Sequence, residues 1–525
     1  MTSEGKRDNN NLDKNNNTGT EKDHFDNELV NNLKKIKMEL GNSSDLVIRE
    51  FSIGDDLCLN AAAIYMGGLV DEKIVNEFVL ESIKVESSEE GEVNQENVFE
   101  FINTHAISVG EVKVIQEWNT LILAILSGHT AILIDGCAEI LTGNTKGGET
   151  RQVSEPTSQL VIRGPKEAFT ESIGTNAALI RRRIKTPNLW LETRQIGSTT
   201  QTDVALMYIK GVANEKVLKE AKRRLDNIDI DGILESGYIE QLIQDHPYSP
   251  FPTIYNTERP DAIVGNLLEG RIAILVDGTP FVLVIPALFI QFFQSPADYY
   301  QHFFIGSFLR LLRLSTYIIT LLTPALYIAL TTFHPQMIPT LLLISLAAQN
   351  EGVPFPLFVE VMLMEITFEI LREAGVRMPR AVGQAVSIVG GLVLGQAAVQ
   401  AGLVSAATVI VVSLTGIASF AFPSYTIGVP ARLLRFLMMI IAGSFGLYGV
   451  AMALFILIAH LSSLRSFGIP YLSPFAPFVW SDIKDTLVRQ PLWSLLLRPK
   501  LINQQNLKRQ DKGQKPTPPD TNNSA

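Results

Sequence analysis

AVGQAVSIVGGLVLGQAAVQAGLVSAATVIVVSLTGIASFAFPSYTIGVPA, from Ala381 to Ala431, contains no Asp, Glu, Lys or Arg. A bilayer core takes about 20 apolar residues per helix. The run therefore holds two crossings, and no soluble core accounts for so long an uncharged stretch. Outward from it, charge collects before about Arg313 and after about Arg465. The fold class that follows is a duplicated α/β soluble N-terminal part plus an α-helical multi-span membrane domain.

The 525-residue chain carries a formal charge of −10, which gives no basic stripe for nucleic acid. Residues 1–45 form a polar tail rich in Asn, Asp and Lys with no apolar h-region, read as disordered and not as a signal peptide. The C-terminal tail, 466–525, is expected to end in disorder, with Pro516, Pro518 and Pro519 barring regular structure. Cys58 and Cys137 give no disulfide framework and suit structural burial in a reducing compartment.

The soluble half repeats itself. Ile64-Tyr65-Met66-Gly67-Gly68-Leu69-Val70-Asp71-Glu72-Lys73 is echoed by Met207-Tyr208-Ile209-Lys210-Gly211-Val212-Ala213-Asn214-Glu215-Lys216. Gly128-His129-Thr130-Ala131-Ile132-Leu133-Ile134-Asp135-Gly136 is echoed by Gly270-Arg271-Ile272-Ala273-Ile274-Leu275-Val276-Asp277-Gly278 at nearly the same offset. Two α/β modules are expected, 46–145 and 189–288, joined by a linker, 146–188. Asp71 and Asn214 stand where helix N-caps belong. Asp135-Gly136 and Asp277-Gly278 carry the signature of type I′ hairpin turns.

Catalytic constellations are not evident. Asp-Gly at a turn is explained by backbone geometry. The stretch Gly143 to Gly148 lacks P-loop spacing and reads as a mobile loop. Arg181-Arg182-Arg183 reads as a solvated helix face. No enzyme activity, metal site or cofactor is expected.

Thr279 to Phe293, broken by Pro280 and Pro286, is too short to span; it enters the interface or forms the last strand. Residues 289–313 form an interfacial segment, in which Ser295 to Arg313 alternates aromatic and basic residues like an amphipathic helix on the cytoplasmic side. The membrane domain is 314–465, with spans at 314–333, 357–371, 381–400, 404–422 and 436–460. Arg372, Arg377, Arg380, Arg432 and Arg435 mark cytoplasmic returns. With a cytoplasmic N-terminus, that count leaves the basic tail outside, so either one segment is re-entrant or another crosses.

The richest region lies between Pro335 and Pro379. An apolar run is broken by Gln349-Asn350-Glu351-Gly352-Val353-Pro354-Phe355-Pro356, and a second apolar segment then carries Glu360, Glu365 and Glu369. Irregular backbone at membrane depth survives inside protein or along a water-filled cavity. Each carboxylate at the bilayer centre costs about 2.5–3.5 kcal/mol, so three on one segment need a purpose. Two readings stand: the segment lines an aqueous path, or it lies in the interface among headgroups. On the first, Glu351, Glu360, Glu365 and Glu369 are candidates for the ion pathway, and Met362 and Leu363 for a dewetting gate. Gly383, Ser387, Gly391 and Gly395 recur every four residues, a small-residue ridge for helix packing.

The run Asn350 to Pro356, the run Glu365 to Pro379, the stretch Gly383 to Val399 and Pro423-Ser424-Tyr425 resemble the A-subunit family of GerA-type spore germination receptors, over about Ser44 to Pro499. The resemblance implies an endospore-forming bacterium and the inner membrane of its spore. It implies a transporter-like B subunit that senses nutrient and a lipoprotein C subunit as partners. It also implies a homo-oligomeric ring, expected as a pentamer, that conducts cations when germinant binds. A paralogue associated with the dipicolinate-release operon, stage V sporulation protein AF, is similar, and a non-conducting scaffold or signalling subunit is the rival class. A secondary transporter should show inverted membrane repeats; the repeat here is in the soluble half.

Overall fold

Leu59–Met66 and Thr130–Ile134 are apolar along almost their whole length, as strands covered on both faces must be. In the computed structural model they lie at the middle of a sheet. The structure describes residues 25–53, 59–83, 112–148, 155–156, 159, 161–378, 395–502 and 505–517. Cys58, Gly383, Ser387, Gly391 and both chain ends lie outside them. The chain divides into two compact units, residues 1–151 with 177–192, and residues 152–176 with 193–525.

The first sheet comprises β1 (Leu46–Ile53), β2 (Leu59–Met66), β3 (Val112–Ile115), β4 (Thr130–Ile134) and β5 (Ile140–Gly143), in spatial order β1-β2-β4-β5-β3. Side chains alternate across a strand. Ala62, Ile64 and Met66 meet helices α1 (Leu29–Glu39) and α3 (Trp118–Leu126), whereas Ala61 faces Phe78 of α2 (Glu72–Ile83). After helix α4 (Ile173–Arg181), a second sheet repeats the plan. It holds β6 (Leu189–Ile196), β7 (Thr202–Ile209), β8 (Tyr255–Thr257), β9 (Ile272–Val276) and β10 (Val282–Ile285), in order β6-β7-β9-β10-β8. Its helices are α5 (Glu215–Asp226), α6 (Ser236–Ile243) and α7 (Pro260–Leu268). The two sheets have the same strand order.

Asp71 and Asn214 each accept a hydrogen bond two residues on, from Lys73 N (2.9 Å) and Lys216 N (3.0 Å). The Asp-Gly turns differ from the type I′ expectation, which needs positive φ at both central residues. Gly136 and Gly278 have φ of +79° and +84°, but neither aspartate is left-handed. Each aspartate is used elsewhere: Asp135 Oδ1 accepts from Leu29 N (2.9 Å) at the start of α1, and Asp277 Oδ1 from Ile173 N (3.0 Å) at the start of α4. Asn32 and Asn176 also fasten the chain to the residue six positions earlier in the same way. Three other expectations are corrected. The tail read as disordered over 1–45 holds α1, whose Leu29, Leu33 and Ile36 are buried in the first unit's core. Arg181 is buried, bonding Asp45 Oδ1 (2.8 Å), Ser43 Oγ (2.8 Å) and Leu189 O (3.1 Å). The Gly143–Gly148 loop is packed, with buried Thr145 on Thr130 (2.8 Å) and Lys146 bridging Val70.

The C-terminal part is helical: α8 (Phe303–Phe333), α9 (Thr340–Asn350), α10 (Leu357–Arg377), α11 (Ala406–Ser419) and α12 (Tyr425–Ser463). By length and apolarity α8 and α12 can cross a membrane. The 289–313 segment is not a separate interfacial helix. Val282–Ile285 is the last strand, and α8 runs unbroken from Phe303. Its Arg310 and Arg313 are turned into protein, onto Asp298 (3.1 and 2.9 Å), with Arg310 also on Asp485 (2.9 Å). A cation near an apolar helix entry is stabilised by a fixed carboxylate as well as by headgroups.

Helix α12 is two helices. Thr426 bonds Asn256 (3.2 Å) at its start, and His460 bonds Ser249 (2.9 Å) near its end. A straight helix would separate those ends by about 50 Å, whereas the seven residues from Ser249 to Asn256 reach about 25 Å at most. The reversal is at Gly446, whose φ of +60° and ψ of −146° break the helix. There a Cβ would lie 2.9 Å from Phe333 and 3.0 Å from His334. The 436–460 segment is thus corrected: the chain runs outward from the second sheet to Gly446 and then returns.

The same two levels order the other helices. Phe358 of α10 sits against Gly443 at the far level, and Arg372 meets Ser419 near the second sheet. Gly402, with φ +66°, turns the chain beside the Gly352 carbonyl, and α11 then runs back from Ser405. Beyond α12, the tail packs on the second sheet's domain. Ser466 Oγ donates to Thr253 O (2.6 Å) and accepts from Ala287 N (2.9 Å), and Arg498 Nε donates to Leu268 O (2.8 Å).

Candidate functional site

Glu365 and Glu369 share one face of α10 at i, i+4, and that face meets α12. Arg435 Nη2 lies 3.0 Å from Glu365 and 2.8 Å from Glu369, and Arg432 Nη1 lies 3.2 Å from Glu369. Glu365 and Arg435 are both 0% exposed. A buried charge without a partner is costly enough that it is seldom found, so each residue explains the presence of the other. Arg372 donates to Ser419 Oγ on α11 and lies over the rings of Phe368 (5.3 Å) and Phe420 (4.7 Å). The cluster ties α10, α11 and α12 together.

Glu360 points another way, as the helical wheel requires. Its Oε1 accepts from Ser405 N at 2.5 Å, at the start of α11, where Ser405 Oγ in turn accepts from Thr408 N (3.3 Å). A carboxylate at a helix N-terminus satisfies orphan N–H groups and meets the positive end of the dipole. The break before α10 is pinned alongside: Ala407 N donates to Gln349 Oε1 (3.3 Å).

Glu360, Glu365 and Glu369 therefore face protein within the chain, while Glu373, nearer the end of α10, is exposed and pairs with Arg377 (2.7 Å). Met362 is half-buried among the apolar residues between α8, α10 and α12. The surface of α10 is instead a stripe of Val359, Leu363, Ile366 and Ile370, spaced four, three and four apart, all exposed. Glu351 is exposed in the break. Of the six pathway candidates, Glu351 and Leu363 are open to the surroundings.

Of the small-residue ridge, Gly395 is described: a Cβ there would stand 3.4 Å from Val409 of α11. Two closer approaches carry no periodic signal in the sequence. A Cβ on Gly416 would lie 2.3 Å from the Phe368 ring, and one on Gly443 would lie 2.8 Å from Phe358. Isolated small residues opposite aromatic ones in an apolar run are the signal that could have found them.

The family described as Bacillus/Clostridium GerA spore germination protein matches residues 34–501. Spore germination protein KA of Bacillus subtilis (strain 168) is 51% identical over 490 residues, 93% of this chain and 89% of that protein. Spore germination protein GerLA of Bacillus cereus is 41% identical over 470 residues, 90% of this chain and 94% of that one. Uncharacterized membrane protein YfkQ of B. subtilis (strain 168) is 42% identical over 471 residues, covering 90% of each. Among solved structures, the N-terminal domain of the A subunit of the Bacillus megaterium spore germinant receptor GerK3 shares 49% identity, with a TM-score of 0.42. It covers 51% of this chain and 98% of that one.

Proposed function

The chain belongs to the GerA family of spore germination proteins, and from that premise we propose that it is the A subunit of a nutrient germinant receptor in the spore inner membrane. It works there with B and C subunits, and copies of it form a ring, such as a pentamer, that passes cations when germinant is sensed. The family is one of receptor subunits and not a known class of enzyme.

The observation that carries the conduction reading is the layout of α10. A broken polar entry with exposed Glu351 precedes a helix whose outer stripe is apolar. In a ring of copies, such a stripe supplies a hydrophobic constriction gated by dewetting, and Glu351 supplies a ring of charge that attracts cations. Glu360, Glu365 and Glu369 then serve the pathway indirectly, by fixing α10 against α11 and α12. Among the described helices, the membrane path consistent with the two levels is α8 outward, α10 back, α11 back, and α12 outward and back at Gly446. The tail then lies on the side of the second sheet, which is taken as cytoplasmic. The sheets, with repeats starting near Phe25 and Phe169, form a collar that couples the partner subunits to α8 and α12.

The scaffold reading draws support from one fact: Glu360, Glu365 and Glu369 are each engaged within their own chain, by Ser405 N, Arg435 and Arg432. Cation release from spores separates the two. Spores carrying Glu351→Gln should release potassium more slowly after nutrient, with the receptor at normal abundance. Unchanged release with Glu351→Gln, together with unchanged basal leak in Leu363→Ala spores, favours the scaffold.

A further inference from the structure

The tail beyond α12 differs in charge from the rest of the chain: from Arg465 to Thr517 it has nine Lys and Arg against three Asp and Glu, in a protein of net charge −10. It also exposes large apolar side chains, Phe478 (63%) and Trp480 (71%), whose rings lie 5.8 Å apart, with Val488, Leu492 and Trp493 further on. Lys484 and Lys500 are exposed in the same segment.

This segment is fastened to the foot of α8. Arg310 donates to Asp485 O (2.6 Å), Ser307 Oγ to Arg489 O (3.0 Å), and Arg489 Nη1 to Gln301 O (3.2 Å). Tyr299 OH donates to Asp485 Oδ2 (2.7 Å). At that height α8 exposes Phe304, Phe308 and Leu311, spaced four and three apart on one face. Arg313 is the last charged residue of α8. The fastening points lie within roughly 10 Å of it along the axis, and the headgroup layer on each side of the hydrocarbon is about 5–8 Å deep. Aromatic residues with apolar bodies and polar edges collect in that layer, and lysines beside them favour anionic lipid.

We propose that residues 472–500 lie in the headgroup layer as a membrane-surface anchor, with Phe478, Trp480 and Trp493 at the acyl boundary and Lys484 and Lys500 on anionic lipid phosphates. The anchor braces the foot of α8, so a bilayer contact outside the spans holds the helix at a fixed depth. This goes beyond the conduction reading and rests only on α8 being a bilayer helix.

The test places the full chain in nanodiscs of phosphatidylcholine, with and without phosphatidylglycerol, using lipids brominated near the glycerol end of the acyl chain. Tryptophan quenching is compared for the parent and for Trp480→Phe/Trp493→Phe, which leaves the two tryptophans of the first unit in place. The parent should be quenched, more with phosphatidylglycerol, and most of that quenching should vanish in the double variant. Lys484→Glu/Lys500→Glu, which alters no buried residue, should lose the phosphatidylglycerol increment alone. Equal quenching in parent and double variant overturns the proposal. Alkaline carbonate separates the premises: a chain washed off the bilayer refutes the spans, whereas one that stays but shows no bromine quenching refutes the anchor alone.

Discussion

Arg435 illustrates how a single side chain sets the inner geometry of the helical part. It is fully enclosed, and it faces two carboxylates of α10. Removing one member of a buried pair leaves an uncompensated charge and costs about 3–5 kcal/mol, whereas replacing both by apolar groups is often close to neutral. Arg435→Met should therefore lower the thermal stability of the protein in nanodiscs strongly, and Arg435→Met/Glu365→Met should recover much of the loss. A double variant as unstable as the single one would show that the pair is not a coupled unit. Glu240 on α6 acts through a proton. Burial pushes its carboxyl up to about 7 from an ordinary value near 4.5; nearby Glu235 adds repulsion, and the Asn256 side chain, which also bonds Thr426, opposes the rise. Because the folded value is raised, its contribution to stability is full below about 4.5 and lost as pH rises through about 7. Hydrogen exchange of α6 should accelerate across that window in the parent, and Glu240→Gln should flatten the change. An unaltered slope in Glu240→Gln would assign the pH dependence to another group.

Gly446 does at the level of elements what Arg435 does at the level of residues. Its left-handed φ and the ring of Phe333 leave no room for a side chain. Gly446→Val should prevent the reversal of α12 and lower the amount of assembled protein. Cysteine labelling gives the independent check: Thr426→Cys and His460→Cys should be reached from one face of the membrane and Tyr448→Cys from the other. Labelling of positions 426 and 460 from opposite faces would restore a single straight crossing. Hydropathy could not have shown this turn, because Ser444-Phe445-Gly446-Leu447-Tyr448 has no charge and no proline, and a lone glycine is tolerated inside a helix. The repeated strands were legible because identical local patterns recur at one offset. The aspartates of the Asp-Gly turns were misread for a tertiary reason: their carboxylates cap helices more than a hundred residues earlier. Arg435 likewise pairs with acids about seventy positions away, and no local pattern records such a partner. Three of the pathway candidates were legible in the sequence as acids on one helix, but the direction each acid faces came only with the packing of α11 and α12.

At the scale of the whole molecule, α10 carries one protein-facing set of charges and one outward apolar stripe. In the function we propose, the acids hold the helix and the stripe gates an ion path in a ring of copies. A smaller side chain in a dewetting constriction admits water and lets ions through without a trigger. The most direct test is potassium efflux from liposomes that hold the purified chain, parent beside Leu363→Ala. The account predicts efflux well above that of empty liposomes for Leu363→Ala, a slower leak for the parent, and a lower preference for potassium over chloride once Glu351→Gln is added. Liposomes holding either protein that stay as tight as empty ones, with insertion and assembly verified in the same preparations, would contradict it.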